Sequence, residues 1–329
     1  MSPTQGSLFG DEPRRGRGVG PAPVTAEQLA VARVLPRLVR LGTSSWSFPG
    51  WAGIVYDRAA SESVLARTGL TAYARHPLLK AVGIDRTFYA PLSAHALAAY
   101  AQQVPEDFRF VVKAPARCTS PVVLQGGRAA GRNELYLDPA FAQDEAAGPF
   151  VEGLGAKGGA LVFQFPPQGE AIVRDPALFA ARLYSFLAAL PSGPAYAVEI
   201  RDRKLFGAGY LDALRAAGVA HCVSVHPRMP PVREQYDALG GSFPGPRVVR
   251  WMLGGGLGYE EAKARYAPFA RLVDEDPDTR EALARVCAEE SRMGHPVLVI
   301  VNNKAEGSSP LSVFRLAERM AADSPGFAG

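Results

Sequence analysis

Short apolar segments bounded by glycine and proline recur along the chain from Leu41 onward, and segments whose apolar residues follow a helical spacing separate them. The apolar segments predict eight strands, at residues 40–46, 80–89, 108–116, 159–167, 195–202, 220–227, 247–255 and 296–303. Most are apolar on both faces, which is typical of strands in a covered parallel sheet. The helical spacing predicts helices at residues 94–103, 176–189, 210–217, 279–292 and 311–321.

The alternation of strand and helix indicates an α/β fold with a parallel sheet, and eight such units favour closure. We therefore predict a single (β/α)8 barrel of the TIM type with a disordered N-terminal tail. A doubly wound sheet is the structural alternative, and it usually carries a glycine-rich turn after its first strand. Here the first strand ends in Ser44-Ser45-Trp46, and the glycine-rich stretch at residues 153–160 precedes a strand.

Two regions are predicted along the chain. Residues 1–38 form a mostly disordered tail, and residues 39–323 form the barrel domain. The first part of the tail has few apolar side chains that a core could bury. Ordering it would therefore cost more conformational entropy than burial could offset.

Composition and charge narrow the class of protein. Hydrophobic residues make up 47% of the chain and charged residues 21%, and the net charge of +4 permits an anionic partner without requiring nucleic acid. Three widely spaced cysteines, Cys118, Cys222 and Cys287, predict neither a disulfide framework nor a zinc site. We find no secretory signal and no apolar run of about 18 residues, so we expect a cytoplasmic protein with no membrane partner.

Polar residues recur where the predicted strands end. In a TIM barrel the carboxyl ends of the strands face the site, so these residues are candidates for function. They are Lys113, Gln164, Glu199, Arg201, Asp202, His226, Arg250, Asn302, Asn303, Lys304 and Glu306. His226 stands alone without a second ligand at metal spacing, which favours a structural histidine. We expect no metal and no cofactor.

Three candidates carry the predicted chemistry. Glu199 and Arg201 share one face of a strand, so the carboxylate is either an acid–base group, an electrostatic anchor or half of a structural ion pair. Lys113 follows phenylalanine and valine, and partial burial there would lower its pKa, as suits a base or a Schiff-base nucleophile. An anion anchor and a structural role remain open for Lys113. Arg201 is predicted to stabilise charge, as is Arg250.

The loop at residues 302–310 looks most like a binding loop. Two amides, an ammonium and a carboxylate follow an apolar strand, and Ser308 or Ser309 is placed to cap the next helix and leave backbone N–H groups for an anion. The alternative is a well-capped turn. Among the aromatic residues near strand ends, Trp46 and Tyr89 are the candidates for stacking on a substrate ring. The predicted substrate-binding residues are Trp46, Tyr89, Gln164, Arg250, Asn302, Asn303 and Lys304.

Six motifs in order resemble one family: GTSSWSFPGW, TFY, VVKAP, QFPP, VEIRD and NNKAEGSSP. Together they resemble the YecE-like family, also called domain of unknown function seventy-two, from about residue 41 to 321. The resemblance implies a TIM barrel and supplies no established reaction. Gly83 and Asp85 stand where the family usually has glutamate and asparagine, and Trp251 and Met252 follow Arg250 where it usually has a leucine-like residue, histidine and glycine. A family-wide mechanism therefore need not transfer intact.

The tail carries one further motif. Residues 5–9, QGSLF, are similar to the peptide by which bacterial proteins dock on the DNA sliding clamp, with Gln5, Leu8 and Phe9 as the contacts. Gly6 departs from the usual leucine. Such a peptide places two apolar anchors in a preformed groove at the cost of ordering a flexible segment.

The sequence supports three hypotheses of function. The leading one is a metal-independent hydrolase or lyase that acts on a phosphorylated substrate, with nucleic acid in DNA repair or processing as one such substrate. The second is a lyase, isomerase or hydrolase of small sugars or sugar phosphates. The third is a non-catalytic binding module recruited through its tail.

Overall fold

A computed structural model describes residues 18–125, 128–240, 243–254 and 256–323. The docking motif with Gln5, Leu8 and Phe9, and the first 17 residues of the predicted tail, lie outside the described residues. Within the described part of the chain, no helix combines the length and the apolar character needed to cross a membrane.

Eight parallel strands close into a barrel, as predicted. The strands of the molecule are β1 Val39–Thr43, β2 Ala81–Ile84, β3 Arg109–Lys113, β4 Val122–Gln125, β5 Arg128–Arg132, β6 Gly158–Phe165, β7 Tyr196–Ile200, β8 Ala220–Val225, β9 Arg247–Trp251 and β10 Val297–Val301. The order around the barrel is β1-β10-β9-β8-β7-β6-β3-β2, and β4 and β5 form a separate antiparallel hairpin. Closure excludes the doubly wound alternative.

Helices follow the strands and cover the barrel. They are α1 Ala26–Val34, α2 Glu62–Tyr73, α3 Ala94–Ala101, α4 Ala116–Thr119, α5 Pro139–Ala142, α6 Gly148–Leu154, α7 Glu170–Val173, α8 Pro176–Ala188, α9 Ala208–Ala217, α10 Val232–Leu239, α11 Tyr259–Tyr266, α12 Pro277–Arg292 and α13 Ser309–Ala322. The five predicted helices are present. Two of them begin at the signal Asp-Pro, because Asp175 and Asp276 accept a backbone hydrogen bond and proline fits the first turn.

Residues 18–38 are ordered, which corrects the predicted extent of the tail. Thr25 and Gln28 form a capping box that starts α1, and Val31 of that helix is fully buried. Val19 is also buried, and the N–H of Ala22 donates to the carbonyl of Val55. The Thr25 and Gln28 pattern is visible in the sequence, but it lies in a stretch whose composition predicts a tail.

The barrel has two apolar layers with different side chains. The layer between strands and helices contains the large residues, whereas the interior is filled mainly by small ones: Ala81, Val111, Ala160, Val162, Ala197, Ala220, Cys222, Val248, Leu298 and Ile300. Because side chains alternate along a strand, the next interior position on β7 after Ala197 is Glu199, and on β9 after Val248 it is Arg250. The small interior leaves space for these long charged side chains.

Candidate functional site

A cavity of about 510 Å³ opens at the carboxyl ends of the barrel strands, where function was predicted. Six of the predicted site residues line it: Tyr89, Lys113, Gln164, Arg201, Asn302 and Lys304. They come from β2, β3, β6, β7 and β10 or the loops that follow them. A closed ring of parallel strands therefore brings residues far apart in sequence to one mouth.

Glu199 and Arg250 lie in the barrel interior and form an ion-pair network with their neighbours. Glu199 is fully buried, and one of its oxygens accepts a hydrogen bond from Arg250 Nη1 at 2.5 Å. Its other oxygen accepts a hydrogen bond from Ser224 Oγ at 2.9 Å and pairs with Arg201. Arg250 Nη2 also donates to both oxygens of Asp85, at 2.6 and 2.7 Å. The network ties β7, β8 and β9 to the end of β2.

This network keeps Glu199 ionised. Burial by itself would raise the pKa of the carboxyl, but the neighbouring Arg201, Arg250 and Lys113 outweigh burial and lower the pKa to about 2. A fully buried carboxylate with three donors has little freedom to exchange a proton with a substrate. The geometry therefore favours the electrostatic-anchor interpretation of Glu199 over the acid–base interpretation.

In and just after β2 this chain has Gly83 and Asp85 where the family pattern has glutamate and asparagine, and the packing around Gly83 gives a physical reason for the change. The interior position on β2 is Gly83, and a Cβ there would lie 3.0 Å from Ser44 Cα and 3.2 Å from a methyl group of Ile300. There is little room for a larger side chain at that level. Asp85, two residues further along and in the cavity wall, supplies the carboxylate that pairs with Arg250.

Lys113 ends β3 and is half-buried in the cavity wall. Its Nζ lies 3.7 Å from the centroid of the Phe88 ring, a cation–π contact. Among the described residues, no carboxylate oxygen pairs with this ammonium. Burial, helped by Arg250 and Arg201, lowers the pKa of Lys113 to about 8, although Asp85 and Glu199 oppose the shift.

The cavity wall carries more positive than negative charge. Among the described residues, its cationic side chains are Arg86, Lys113, Arg201, Arg228 and Lys304, and its one carboxylate is Asp85. His226 adds no charge near neutral pH, because burial and the neighbouring Arg201 lower its pKa to about 4. Lys304 is buried against Tyr259, with its Nζ 4.1 Å from the ring centroid.

Besides Arg250, two predicted binding residues do not line the cavity. Trp46 is 5% exposed and packs edge-on against Tyr100 in the core, with ring centroids 4.9 Å apart, so it is not a stacking residue of the cavity. Asn303 Oδ1 accepts hydrogen bonds from the backbone N–H and the hydroxyl of Ser309, both at 2.8 Å. The start of α13 is thus capped internally and buried, which supports the capped-turn alternative for this loop.

Three further predicted binding residues, Asn302, Gln164 and Tyr89, line the cavity. Asn302 Nδ2 donates to Ser44 Oγ at 2.8 Å and Asn302 Oδ1 accepts from the N–H of Lys304, so the amide is oriented at the mouth. Gln164 lies beside Glu199 in the register of β6 and β7 and reaches the cavity. Tyr89 is 84% exposed at the rim and contacts Phe88 edge-on.

Among the described residues, sequence reasoning missed three charged residues of the cavity, Asp85, Arg86 and Arg228, and the aromatic residue Tyr259. Asp85 was visible as a departure from the family pattern. Arg86 directly follows it, whereas Arg228 lies in the loop after β8 and Tyr259 is the first residue of α11, in the connection after β9. A loop residue such as Arg228 has no periodicity that indicates its direction, and α11 was not among the predicted helices, so no sequence signal pointed to these two residues.

A second cleft of about 360 Å³ adjoins the mouth cavity and shares Pro167, Arg201 and Arg228 with it. Arg203 and Lys204 add two more cationic side chains, against the carboxylates of Glu170 and Asp202. Asp202 is engaged by the backbone N–H of Gln168 at 2.7 Å, and Arg203 pairs with Glu234 on the surface. Within the described ranges, no group of three or more histidine, cysteine, aspartate or glutamate residues is placed to hold a metal ion.

Comparison with known proteins places the chain in a family. Two solved structures are similar: a DUF72 family protein from Thermotoga maritima, 20% identical with a TM-score of 0.57 over 85% of this chain and 98% of that one, and a DUF72 family protein from Enterococcus faecalis, 19% identical with a TM-score of 0.54 over 86% and 95%. At these identities the likeness concerns the fold alone. No curated protein matches. The family model described as protein of unknown function DUF72 matches residues 40–327, which confirms the predicted resemblance, and the protein therefore belongs to the DUF72 family.

Proposed function

We propose that the protein is an enzyme that acts on a phosphorylated substrate bound in the mouth cavity. The observation that carries this proposal is the charge of the cavity wall, with five cationic side chains against one carboxylate that is already paired with Arg250. In a partly buried site such an excess favours a multiply charged anion, since each guanidinium or ammonium gains a charge-assisted hydrogen bond.

The size of the cavity suits a small phosphorylated molecule or one nucleotide unit. About 510 Å³ falls in the range of small-molecule sites, which is about 300–1,000 Å³. Phe88, Tyr89 and Tyr259 supply aromatic surface for a sugar or base. Arg201 and Lys304 are the cations best placed to hold a phosphate, because Glu199 orients the first and Tyr259 the second.

The chemistry that fits is hydrolysis or elimination at an atom near the phosphate. Arg201 would stabilise negative charge that develops on the leaving oxygen. Glu199 would act through Arg201 and Arg250 by fixing their orientation, as a positioning residue rather than as the proton donor or acceptor.

Binding of inorganic phosphate, measured by isothermal titration calorimetry, tests the proposal. We expect Arg201→Gln to weaken phosphate binding by about tenfold or more, the loss of one charge-assisted hydrogen bond. Arg285→Gln is the matched control, because Arg285 lies on α12 and pairs there with Glu281. Absence of phosphate binding to the native protein, or equal affinities in both variants, would refute the proposal.

The adjoining cleft favours nucleic acid over a small sugar phosphate as the substrate. A substrate with several phosphates could extend from the mouth cavity past Arg201 into the cleft with Arg203 and Lys204. Binding of labelled single-stranded DNA should then weaken steeply with salt, and replacing both Arg203 and Lys204 by glutamine should reduce the salt slope by about one to two. A small sugar phosphate would show a shallow slope that the double variant leaves unchanged.

The docking peptide stays a prediction about the tail. If it binds the sliding clamp, a pull-down with purified clamp should recover the native chain and lose the variant with Leu8→Ala and Phe9→Ala, because both apolar anchors are removed. Equal recovery of both chains would end that hypothesis and, with it, the argument for a non-catalytic module recruited through the tail.

A further inference from the structure

We infer that Lys113 is a nucleophile that forms an imine with the carbonyl carbon of a phosphorylated aldehyde or ketone. This inference rests on the proposed function, because the phosphate is what brings the carbonyl into the mouth cavity. It also narrows that function, since it specifies a carbonyl group as the second feature of the substrate.

The position of Lys113 supports this role. It lies on the interior face at the end of β3, in the wall of the cavity, where a bound molecule can reach it. Its Nζ rests over the Phe88 ring at 3.7 Å and has no carboxylate partner in the described part of the chain. An ammonium held by an ion pair would keep its proton, whereas one held by an aromatic face gives it up more readily.

The surrounding charges explain why this lysine differs from others. Asp85 and Glu199 are the two carboxylates near it, and both are bound to Arg250. Glu199 is bound to Arg201 as well. The charges of Arg201 and Arg250 therefore compensate those of Asp85 and Glu199, so burial has the largest effect on the pKa of Lys113. The pKa of Lys113, lowered by burial to about 8, leaves about a tenth of the side chain as free amine at pH 7.

Two other cations of the cavity are available to bind the phosphate while Lys113 reacts with the carbonyl group. Arg201 and Lys304 line the same cavity and are available for the phosphate, so the amine is not needed as an anion anchor. A molecule held by its phosphate presents the rest of its length to the cavity wall. Of the lysines that the structure describes, Lys113 is the one with both a lowered pKa and a position on a barrel strand.

The reaction balances without a further reactant. The free amine of Lys113 attacks the carbonyl carbon, a C–N bond forms, and the carbonyl π electrons move to oxygen, which takes up a proton. Loss of that oxygen as water, with a second proton on oxygen and one lost from nitrogen, gives a protonated imine. The net change is amine plus carbonyl plus one proton to iminium plus water. The Phe88 ring lies against the ammonium of Lys113 and would lie against the iminium ion in the same way.

Borohydride trapping tests the inference. The native protein is incubated with glyceraldehyde 3-phosphate, deoxyribose 5-phosphate or pyridoxal 5′-phosphate, reduced with sodium borohydride, and mapped by peptide mass spectrometry. We expect a secondary amine at Lys113 with at least one probe, and loss of most of the adduct when inorganic phosphate competes or when unphosphorylated glyceraldehyde replaces its phosphate ester. The trapping rate should rise about tenfold per pH unit below pH 8, because it follows the free amine.

Two variants make the test specific. Lys113→Arg keeps the positive charge and removes the primary amine, so it should abolish the adduct and still bind inorganic phosphate. Lys157→Arg, at the amino end of β6 and outside the cavity lining, should keep the adduct at Lys113. If phosphate binds but no probe labels Lys113, or labelling favours Lys304, the imine inference is wrong and the proposed function stands. If phosphate does not bind at all, both fail.

Discussion

Two buried ion-pair clusters lie at opposite ends of the barrel, and they differ in what they leave unpaired. At the amino end of the strands, Arg247 pairs with Glu290 at 2.9 Å, and Glu290 also accepts hydrogen bonds from Tyr236 and contacts His295, both at 2.6 Å. At the carboxyl end, Glu199 is held by Arg201, Arg250 and Ser224.

The amino-end cluster matches one guanidinium to one carboxylate, and both are almost fully buried. The carboxyl-end cluster lies under a cavity. In the described part of its wall there are five basic residues and one carboxylate, Asp85, which is an excess of four basic residues. Buried ion pairs therefore occur at both ends and do not by themselves identify a site. What distinguishes the carboxyl end is a cavity combined with an excess of positive charge in its wall.

Removing the buried carboxylate at each end should produce the largest effect. We expect Glu199→Gln and Glu290→Gln each to lower the free energy of unfolding by about 3–5 kcal/mol, because each removes a buried carboxylate that neutralises a buried guanidinium, that of Arg201 or Arg247. Urea denaturation measures this. Glu199→Gln should also weaken phosphate binding, by releasing Arg201, whereas Glu290→Gln should leave phosphate affinity unchanged. Equal effects on phosphate binding would remove the distinction between the two ends.

Acid should weaken the carboxyl-end cluster only at low pH. The pKa of Glu199 in the folded protein, lowered by Arg201 and Arg250 to about 2, lies below that of an ordinary glutamate, so its contribution to stability is complete above about pH 4.5 and is lost as pH falls towards 2. The loss is smaller than in the glutamine variant, since the side chain stays in place.

Denaturant titrations at successive pH values check this expectation. Between pH 4.5 and 2 the free energy of unfolding of the native protein should fall. That of Glu199→Gln should fall less over this interval, because glutamine does not titrate. A variant whose pH profile parallels that of the native protein over this interval would contradict the assignment of a low pKa to Glu199.

A matched pair of lysines gives the smallest expected effect. Lys304 lies in the mouth cavity, and Lys157 lies at the amino end of β6, where its ammonium donates to the carbonyls of Ala101 and Val104. Lys304→Gln should lower the affinity for inorganic phosphate about tenfold, and Lys157→Gln should lower only stability. Calorimetry and thermal melting separate the two results. A reduced phosphate affinity in Lys157→Gln would place the anion site elsewhere.

The sequence was sufficient for the barrel because each strand carries its own signal. The alternation on β7, with Ala197 and Glu199 inside and Val198 outside, follows from the period of a strand and needs no tertiary information. The same rule placed Lys113, Gln164 and Arg201 at the mouth. The family motifs agreed with it.

The sequence could not show how far each polar side chain reaches. Trp46 follows a strand end like the true cavity residues, but the chain turns it into the core against Tyr100. Asn303 differs from Asn302 by one position, which is enough to turn it toward Ser309 and the start of α13. Glu199 pointed inward as expected, yet its depth below the cavity depends on the small side chains around it and was not visible in its own strand.

Arg250 has a consequence for how substrates could vary among barrels of this kind. Its guanidinium joins β9 to Glu199 on β7 and to Asp85 after β2, strands that are not neighbours in the ring. It is thus a non-covalent cross-link over the top of the barrel interior, and it holds three strand tips at fixed separations. A rigid base of this sort leaves changes of specificity to the connections after the strands, which carry Tyr89, Arg228 and Tyr259 and can exchange residues without disturbing the ion pairs below.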